Sequence, residues 1–556
     1  MALYSCISKA PNIVHALVHH SRTILLLCLL FATLLPTQFT LAASQENPLW
    51  TRADENGEAA RQAFLHCRDF VRGWLQFADP RSGLIPRGLK QDYFWNARDA
   101  AADNYPFMVL TASFVDEDLC QGRLLDILHA EKRLCSRVGA LPDDFLFETQ
   151  AFRNNEIDMP QLIFGASEYV KDGLLPLTEW LGHSPWLDRA IELTDAIIAH
   201  AEVESPVGPL PHASHEVAGE MLQVLSRFYW MTKNEDYKEM AFRLTDFFLL
   251  HALPTEAETL KLRDHGCEVI GGLSESYFLA SRIAPEKYKQ YHDPMHKMLD
   301  RILEVGRNKD GLFYNRVDPI KGTVLSDGLS DNWGYDYNAF LTVAEVDNHE
   351  PYREAVRFAL SNIHKYKDYD WENGSADGYA DSIESGLNLL NRYPDDTAFD
   401  WVEYSMNLML SIQRDDGIVE GWHGDGNYAR TAIMYALWKS KGTRVSPWRA
   451  DIRVGAEIKA DADGGRELWV SVQSDWPWQG RLIFDGPRHR EIFSLPVDYP
   501  RLNQFPEWFS VEKTGTYNLY HEDGQETEIT GGVLRDGIAI QTDAKTPVHI
   551  RVKQKN

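Results

Sequence analysis

The sequence predicts a mainly helical protein in which six or seven helical hairpins close into a ring, followed by a small all-β sandwich domain. Helical patterns recur in pairs at a spacing of about 50 residues, the signature of a repeated supersecondary unit. Near residue 446 the pattern changes to short segments of alternating apolar and polar residues. A run of helices followed by a run of strands indicates two domains rather than one mixed sheet.

Fourteen helices are predicted from apolar residues recurring every three to four positions. In each pair, one helix follows a loop rich in Gly, Asp, Trp, Tyr and His, and we expect it to line a central funnel that its partner wraps. Glycine ends several helices, as in Asp310-Gly311-Leu312 and Asp416-Gly417-Ile418. The predicted helices span residues 58–77, 104–114, 119–138, 161–181, 186–201, 216–232, 237–250, 268–283, 291–305, 335–346, 351–366, 379–392, 399–413 and 428–439.

Four strands are predicted in the C-terminal region, at residues 467–472, 481–484, 516–520 and 548–552, with Gly and Asp turns between them. We therefore place the helical domain at residues 44–445 and the β-sandwich domain at residues 446–556.

The first 43 residues are typical of a signal peptide. Lys9 and Arg22 supply positive charge, residues 24–35 form an apolar run, and Ala42 and Ala43 offer a cleavage site. The run is short for a membrane span. We expect export to the periplasm or the extracellular space; an uncleaved N-terminal membrane anchor is the alternative.

Net charge and composition limit which kinds of binding partner are expected. A net charge of −26 argues against a nucleic-acid partner, which would require a clustered basic surface. The 16 Trp residues suit a carbohydrate substrate, since sugar rings stack on indoles. No CxxC pair is present, and no metal and no cofactor are expected. The oligomeric state stays open.

Over about residues 58–441 the chain resembles the α/α-toroid, or six-hairpin, glycosidase-like superfamily. The resemblance rests on the helical period, the Asp-Gly loops, and Glu216-Val217-Ala218-Gly219-Glu220-Met221 leading into Tyr229-Trp230-Met231-Thr232. It implies an (α/α)6–7 toroid and a carbohydrate-active enzyme, since the group includes glycoside hydrolases, sugar epimerases and, with a C-terminal β-sandwich, polysaccharide lyases. No catalytic residue is transferred from it.

Glycoside hydrolysis uses two carboxyl groups, one that protonates the leaving oxygen and one that is ionised. Such pairs converge from different inner helices, so the loops before those helices and their first turns are where catalytic acids are expected. The candidate catalytic acids are Asp331 and Asp336 against Asp381 and Glu384, with Trp333, Tyr335 and Trp371 as nearby substrate-binding residues. A turn with a helix cap at Asp331 is the structural alternative.

Two further groups of loops add candidates. The glycine-rich segment 420–430 offers Trp422 for stacking and His423 and Arg430 for hydrogen bonding to sugar. Two His-containing loops precede neighbouring inner helices. Their candidates are His215 and His265 as catalytic residues and His212 and Glu216 as binding residues, with Asn96 and Arg98 upstream.

The sequence therefore predicts an exported glycoside hydrolase acting on a complex polysaccharide, which could contain uronates, or on its oligosaccharides. The competing hypothesis is a polysaccharide lyase that cleaves a uronate linkage by β-elimination with a His or Tyr base, using His215, His265, Tyr335 and Asn332. The leader argues against an epimerase, which would normally stay in the cytoplasm. The density of acids and histidines in the loops argues against a binding protein without enzymatic activity.

Overall fold

The computed structural model of the chain describes residues 47–90, 93–460, 465–522 and 524–555. The predicted signal peptide and residues 44–46 lie outside these ranges. In the described ranges no helix is both long enough and apolar enough to span a membrane.

Seven inner helices form a closed ring. Each inner helix packs on the next one along the chain, and the seventh, Asn427–Lys439, packs on the first, Tyr105–Val115. They are buried nearly all round; every residue from 333 to 344 is buried in one of them. The inner ring comprises Ala97–Asn104 continuing as Tyr105–Val115; Met159–Glu168, Tyr169–Leu174 and Leu175–Leu181 end to end; His215–Thr232; Cys267–Ile283; Trp333–Asp347; Ala376–Leu390; and Asn427–Lys439.

Seven outer helices alternate with the inner ones along the chain and bury one face against them, as their amphipathic patterns require. All fourteen predicted helices are present, and the described residues form seven hairpins, within the predicted six or seven. The outer helices are Pro48–Leu75; Leu125–Leu134, preceded by Glu117–Leu119 and Cys120–Leu124; Pro185–Ala199; Glu235–Leu250; Pro285–Val305; Glu350–Ile363; and Asp396–Ser411.

Some inner helices touch through their backbones. A Cβ on Gly219 would lie 2.3 Å from the backbone nitrogen of Val269, and one on Gly272 would lie 2.5 Å from the carbonyl oxygen of Gly219. Any side chain there would force helices His215–Thr232 and Cys267–Ile283 apart, so glycine sets their spacing.

Short strands and 3₁₀ turns connect the helices on the ring. The strands are Phe94–Trp95, Phe145–Leu146 and Ala151–Phe152 in one sheet, Leu260–Lys261, Tyr314–Asp318 and Thr323–Leu329 in another, and the pair Ser136–Val138 with Leu141–Pro142. The 3₁₀ turns are Pro254–Glu256, His364–Tyr366 and Trp371–Gly374.

Two antiparallel sheets form the C-terminal region. One has the order Ile452–Ala460, Arg466–Ser474, Val548–Gln554, Thr516–His521, Glu526–Thr530, and the other Ile538–Thr542, Trp478–Ile483, Arg444–Ser446. Val470 and Val552 of the first share one apolar core with Leu482 and Ile540 of the second, so the sheets form the expected sandwich. Two short helices, Arg488–Glu491 and Gly531–Asp536, lie in its connections.

One connection of the sandwich enters the ring. Residues 499–506 are buried, and we call 498–506 the plug. Its carbonyl groups accept hydrogen bonds from inner helices: Pro500 from Thr342 at 3.3 Å, and Leu502 from Arg227 at 3.3 Å. Tyr499 donates to Glu275 at 2.9 Å. The plug thus fills the centre of the ring from the sandwich side, which the sequence did not predict.

Candidate active site

A cavity of about 320 Å³ opens at the N-terminal ends of the inner helices. Twelve carboxyl side chains and five basic ones line it, so it is strongly acidic. The positive ends of the helix dipoles converge there and favour negative charge. The carboxyl groups belong to Asp99, Asp103, Glu168, Asp172, Glu216, Glu220, Asp264, Glu268, Glu372, Asp377, Asp381 and Asp425, and the basic groups to Arg98, Lys171, His265, His423 and Arg430.

Three cavity carboxyls lie on π-helical turns, Asp99 and Asp103 on Ala97–Asn104 and Asp172 on Tyr169–Leu174. These turns pack closely: a Cβ on Gly173 would lie 2.9 Å from the carbonyl oxygen of Ala102. Single π-helical turns inside helices are uncommon and frequent at functional sites. Here they bring Asp103 and Asp172, from neighbouring helices, to one side of the cavity.

Asp103, Glu168, Asp172 and Glu220 form what we call the acidic wall. Oxygen atoms of Glu168, Asp172 and Glu220 lie within 4.8 Å of one another. Burial, together with the charges of the neighbouring carboxylates, raises the pKa of Glu168 and of Glu220 well above its usual range. Burial alone would raise the pKa of Asp172, but the charge of Lys171 and hydrogen bonds with Glu168, Lys171 Nζ at 2.7 Å and Asn503 Nδ2 at 3.0 Å prevail and lower it.

Asp103 is the acidic-wall residue best suited to donate a proton near neutral pH. Burial raises its pKa to about 8, against the pull of the His423 cation and with help from Asp172, Asp99 and Asp425. His423 Nε2 lies 3.6 Å from Asp103 Oδ2. At neutral pH Asp103 is therefore a carboxylic acid beside an ionised Asp172.

Arg430, Asp381, Glu384 and Tyr335 form the second side, which we call the arginine wall. The Arg430 guanidinium lies 2.6 Å from Asp381 Oδ1 and 2.8 Å from Glu384 Oε2, and donates to the Tyr335 hydroxyl at 3.2 Å. Asn332 Nδ2 donates to Asp381 Oδ2 at 2.7 Å. Asp381 is thereby held by donors at both oxygens and is fixed in place.

His265 joins its own loop to the first turn of helix His215–Thr232. Its Nδ1 bonds Glu216 Oε1 and its Nε2 lies 3.0 Å from Asp264 Oδ2. Burial disfavours its charge, but the hydrogen bonds to the two carboxylates prevail and raise the pKa of His265 to about 11. It is a fixed cation.

Asn503 of the plug joins the two walls. Its Nδ2 donates to Asp172, its Oδ1 accepts from Arg430 Nη1 at 3.0 Å, and its backbone N–H donates to Glu384 Oε1 at 2.8 Å. The C-terminal region therefore supplies part of the cavity floor.

The structure brings half of the sequence-predicted site residues to the cavity. They are Asp381, His265, Tyr335, Trp422, His423, Arg430, Arg98 and Glu216. Trp422 is 75% exposed at the rim.

The remaining predicted residues do not line the cavity. Trp333 and Trp371 pack edge-on against Trp401 in the core. Trp333 lies on an inner helix that is covered on every side, and Trp371 is buried in the 3₁₀ turn before the next inner helix. Asp336 is fully buried away from the cavity, and Glu384 is fully buried behind Arg430.

Four residues predicted from the loops also do not line the cavity. Asp331 lies behind it, 3.7 Å from Arg263. Asn96 caps the first inner helix and donates to Asp99. His215 is exposed and meets Phe248 edge-on, and His212 bonds the capping Ser214 at 3.0 Å. These four side chains serve local structure.

None of the four acidic-wall residues is among the sequence-predicted site residues, although a signal for them exists. Five pairs of acids four residues apart line the cavity, and within a helix such spacing puts both carboxyls on one face. Asp264 of one pair lies in the loop before its helix. The pairs are Asp99 and Asp103, Glu168 and Asp172, Glu216 and Glu220, Asp264 and Glu268, and Asp377 and Asp381.

No protein-family model matches the chain, and no curated protein matches it. Solved structures with a similar fold include an unsaturated glucuronyl hydrolase from Bacillus sp. GL1 (11% identity, 51% of this chain and 86% of that chain, TM-score 0.36). They also include a sugar epimerase from a ruminal bacterium (14% identity, 56% and 95%, TM-score 0.39). A third is an α-1,6-mannanase from Salegentibacter sp. HEL1_6 (12% identity, 55% and 94%, TM-score 0.37). At these values no activity is assigned to this chain from them.

Proposed function

We propose that the protein is an exported glycoside hydrolase acting on a complex polysaccharide or its oligosaccharides. One observation carries the proposal: two packed π-helical turns present an acid, Asp103, and an ionised carboxylate, Asp172, to the same cavity. Carboxyl groups whose environments push their pKa values apart are the mark of acid and base roles in one site.

Asp103 is the proposed general acid, which protonates the glycosidic oxygen as the bond to the leaving sugar breaks. Its pKa of about 8 keeps it protonated at neutral pH. Asp172 is the proposed ionised partner, which activates water or attacks the anomeric carbon. Lys171 and Asn503 hold Asp172 in its charged form.

The sugar at the point of cleavage is proposed to be neutral. Each of the five basic side chains that line the cavity lies within 3.8 Å of a carboxylate oxygen. A uronate carboxylate would face an excess of negative charge without a cation to receive it. Uronates elsewhere in the polymer are compatible with this proposal.

The cavity favours hydrolysis over β-elimination. A lyase needs a neutral His or an accessible Tyr as base and an Asn, His or Arg that neutralises the uronate carboxylate. Asn332 lines the cavity, but its Nδ2 already donates to Asp381. His265 is held as a cation between two carboxylates, and burial raises the pKa of Tyr335 well above its usual range. His215 lies outside the cavity.

The test is a panel of neutral and acidic polysaccharides incubated with the wild type and with Asp103→Asn. New reducing ends without ultraviolet absorbance from a conjugated double bond are expected on a neutral substrate. Asp103→Asn is expected to lower kcat by about 100- to 10,000-fold, the usual contribution of a general acid.

Asp188→Asn is the matched control, since Asp188 is exposed in the first turn of an outer helix. Products with a conjugated double bond would establish the lyase instead. An Asp103→Asn enzyme as active as the control would reject Asp103 as the acid.

A further inference from the structure

A cluster of imidazole and carboxylate groups lies away from the cavity. His292 and His296 stand one turn apart on the outer helix Pro285–Val305, and Asp347 is the last residue of the inner helix Trp333–Asp347. One ligand atom from each lies within 4.8 Å of the others. None of the three lines the cavity, which lies at the opposite end of that inner helix.

A hydrogen-bond chain fixes the ring of His296. The Tyr352 hydroxyl donates its single proton to Asp300 Oδ1 at 2.8 Å, so it can only accept from His296 Nδ1, 3.0 Å away. Nδ1 therefore carries the hydrogen. In the neutral ring the lone pair of Nε2 then faces Asp347 Oδ2 at 2.8 Å, and either a second ring proton or a metal ion satisfies both atoms. Metal-binding histidines are oriented in this way through their other ring nitrogen.

Asp347 is held as a carboxylate. Both of its oxygens accept hydrogen bonds from phenols, Oδ2 from Tyr277 at 2.8 Å and Oδ1 from Tyr288. It also stands at the C-terminal end of its helix, where the dipole favours a positive ion. Its surroundings are thus arranged for a negative group that meets a cation.

His292 leaves the cluster open to solvent. Its side chain is 45% exposed, and its ring lies 4.6 Å from that of His296 between centroids. Nδ1 of His292 pairs with Asp293 Oδ1 at 2.9 Å, so its other nitrogen remains for a ligand. Water can supply any further ligand from the open side.

We propose that His292, His296 and Asp347 bind a divalent transition-metal ion of the Zn²⁺ type. Two imidazole nitrogens and one carboxylate suit such an ion, whereas Mg²⁺ and Ca²⁺ prefer oxygen ligands. The ion would tie an outer helix to the end of an inner one. This revises the sequence expectation of no metal, and it does not depend on the proposed hydrolase function.

Calorimetric titration of chelator-treated full-length protein with ZnCl₂ tests the site. One Zn²⁺ per chain is expected, with no heat from MgCl₂. His292→Ala is expected to weaken binding by more than about 100-fold, and Tyr352→Phe, which keeps all three ligands, by about tenfold. His364→Ala, at an exposed histidine outside the cluster, is expected to bind as the wild type does.

Thermal unfolding with and without Zn²⁺ provides a second readout. The ion is expected to raise Tm of the wild type and of His364→Ala but not of His292→Ala. A wild type that binds no Zn²⁺, or a His292→Ala variant that binds it with wild-type affinity, would overturn the proposal.

Discussion

The two walls of the cavity are both rich in carboxyl groups but hold them differently. On the arginine wall one guanidinium contacts Asp381 and Glu384, and further donors fix Asp381. On the acidic wall the pKa is raised to about 8 at Asp103 and lowered at Asp172, so a proton donor and an ionised carboxylate face one cavity. On the arginine wall burial also raises the pKa of Glu384, to about 7, but Glu384 is buried behind Arg430 and does not line the cavity. Carboxyls held on one guanidinium make a rigid support, whereas Asp103 reaches the cavity with a proton to transfer. We therefore expect the arginine wall to govern stability and the acidic wall to govern catalysis.

Breaking the arginine wall should have the largest effect on stability. Arg430→Met leaves Asp381 and Glu384 without their cation in a buried setting and is expected to lower the free energy of unfolding by about 3–5 kcal/mol. Asp103→Asn replaces a neutral acid by a neutral amide and should cost less than about 1 kcal/mol. Urea denaturation of both variants measures this difference. Equal losses would remove the distinction between the walls.

Asn503 tests whether the plug couples the walls. It has φ +57°, which glycine adopts freely, so Asn503→Gly removes the side-chain bonds to Asp172 and Arg430 without backbone strain. We expect kcat to fall about tenfold, as for the loss of a hydrogen bond to a charged group. Asn348→Gly, at φ +52° at the far end of an inner helix, is the control. Similar kcat values for both variants would show that the plug has a structural role only and does not couple the walls.

Trp422 lies at the rim of the cavity and belongs to neither wall, so its substitution tests the contribution of the rim to substrate binding. Loss of its exposed indole by Trp422→Ala is expected to raise KM by about two- to tenfold with kcat unchanged, on the scale of one aromatic contact. Trp476→Ala removes an indole that is 70% exposed in the sandwich region and serves as the comparison. A larger effect at Trp476 would move sugar binding to the sandwich.

The smallest expected effect is a shift of the alkaline limit of activity. Asp103 must be protonated to act, so activity should be present below pH 8 and lost as the pH rises through about 8, the pKa of Asp103. The His423 cation lowers that pKa. His423→Gln should therefore move the alkaline limb of the kcat profile upward, as initial rates measured across the pH range would reveal. A limb that stays in place would assign it to another group.

Much of the fold could be predicted because helix periodicity is local information. The helix predicted at residues 216–232 is recognised from its own apolar spacing over fewer than five turns, and the structure has it at His215–Thr232. Four strands were found in the same way. The plug escaped prediction because residues 498–506 have no period of their own; they are buried only because the ring leaves room for them.

The candidate site was predictable in part. The loops before the inner helices indicated the correct end of the ring, and Asp381, His265 and Arg430 meet there. Trp333 and Asp336 lie in the first turn of the inner helix Trp333–Asp347, at the same end of the ring, yet both side chains are buried in the packed core. A helix covered all round carries polar and aromatic residues on several faces, so composition alone does not select the one that meets the cavity.

The sequence by itself determined the repeated hairpins, the strands that follow them and the acidity of the inner-helix starts, since each depends on neighbouring residues. Only the tertiary structure decided which carboxyls share a cavity, which of them keep a proton, and that Asn503 reaches Asp172 from 331 positions away. Those properties depend on burial and on charges a few ångströms apart, and such distances are set by packing between helices that are remote in sequence.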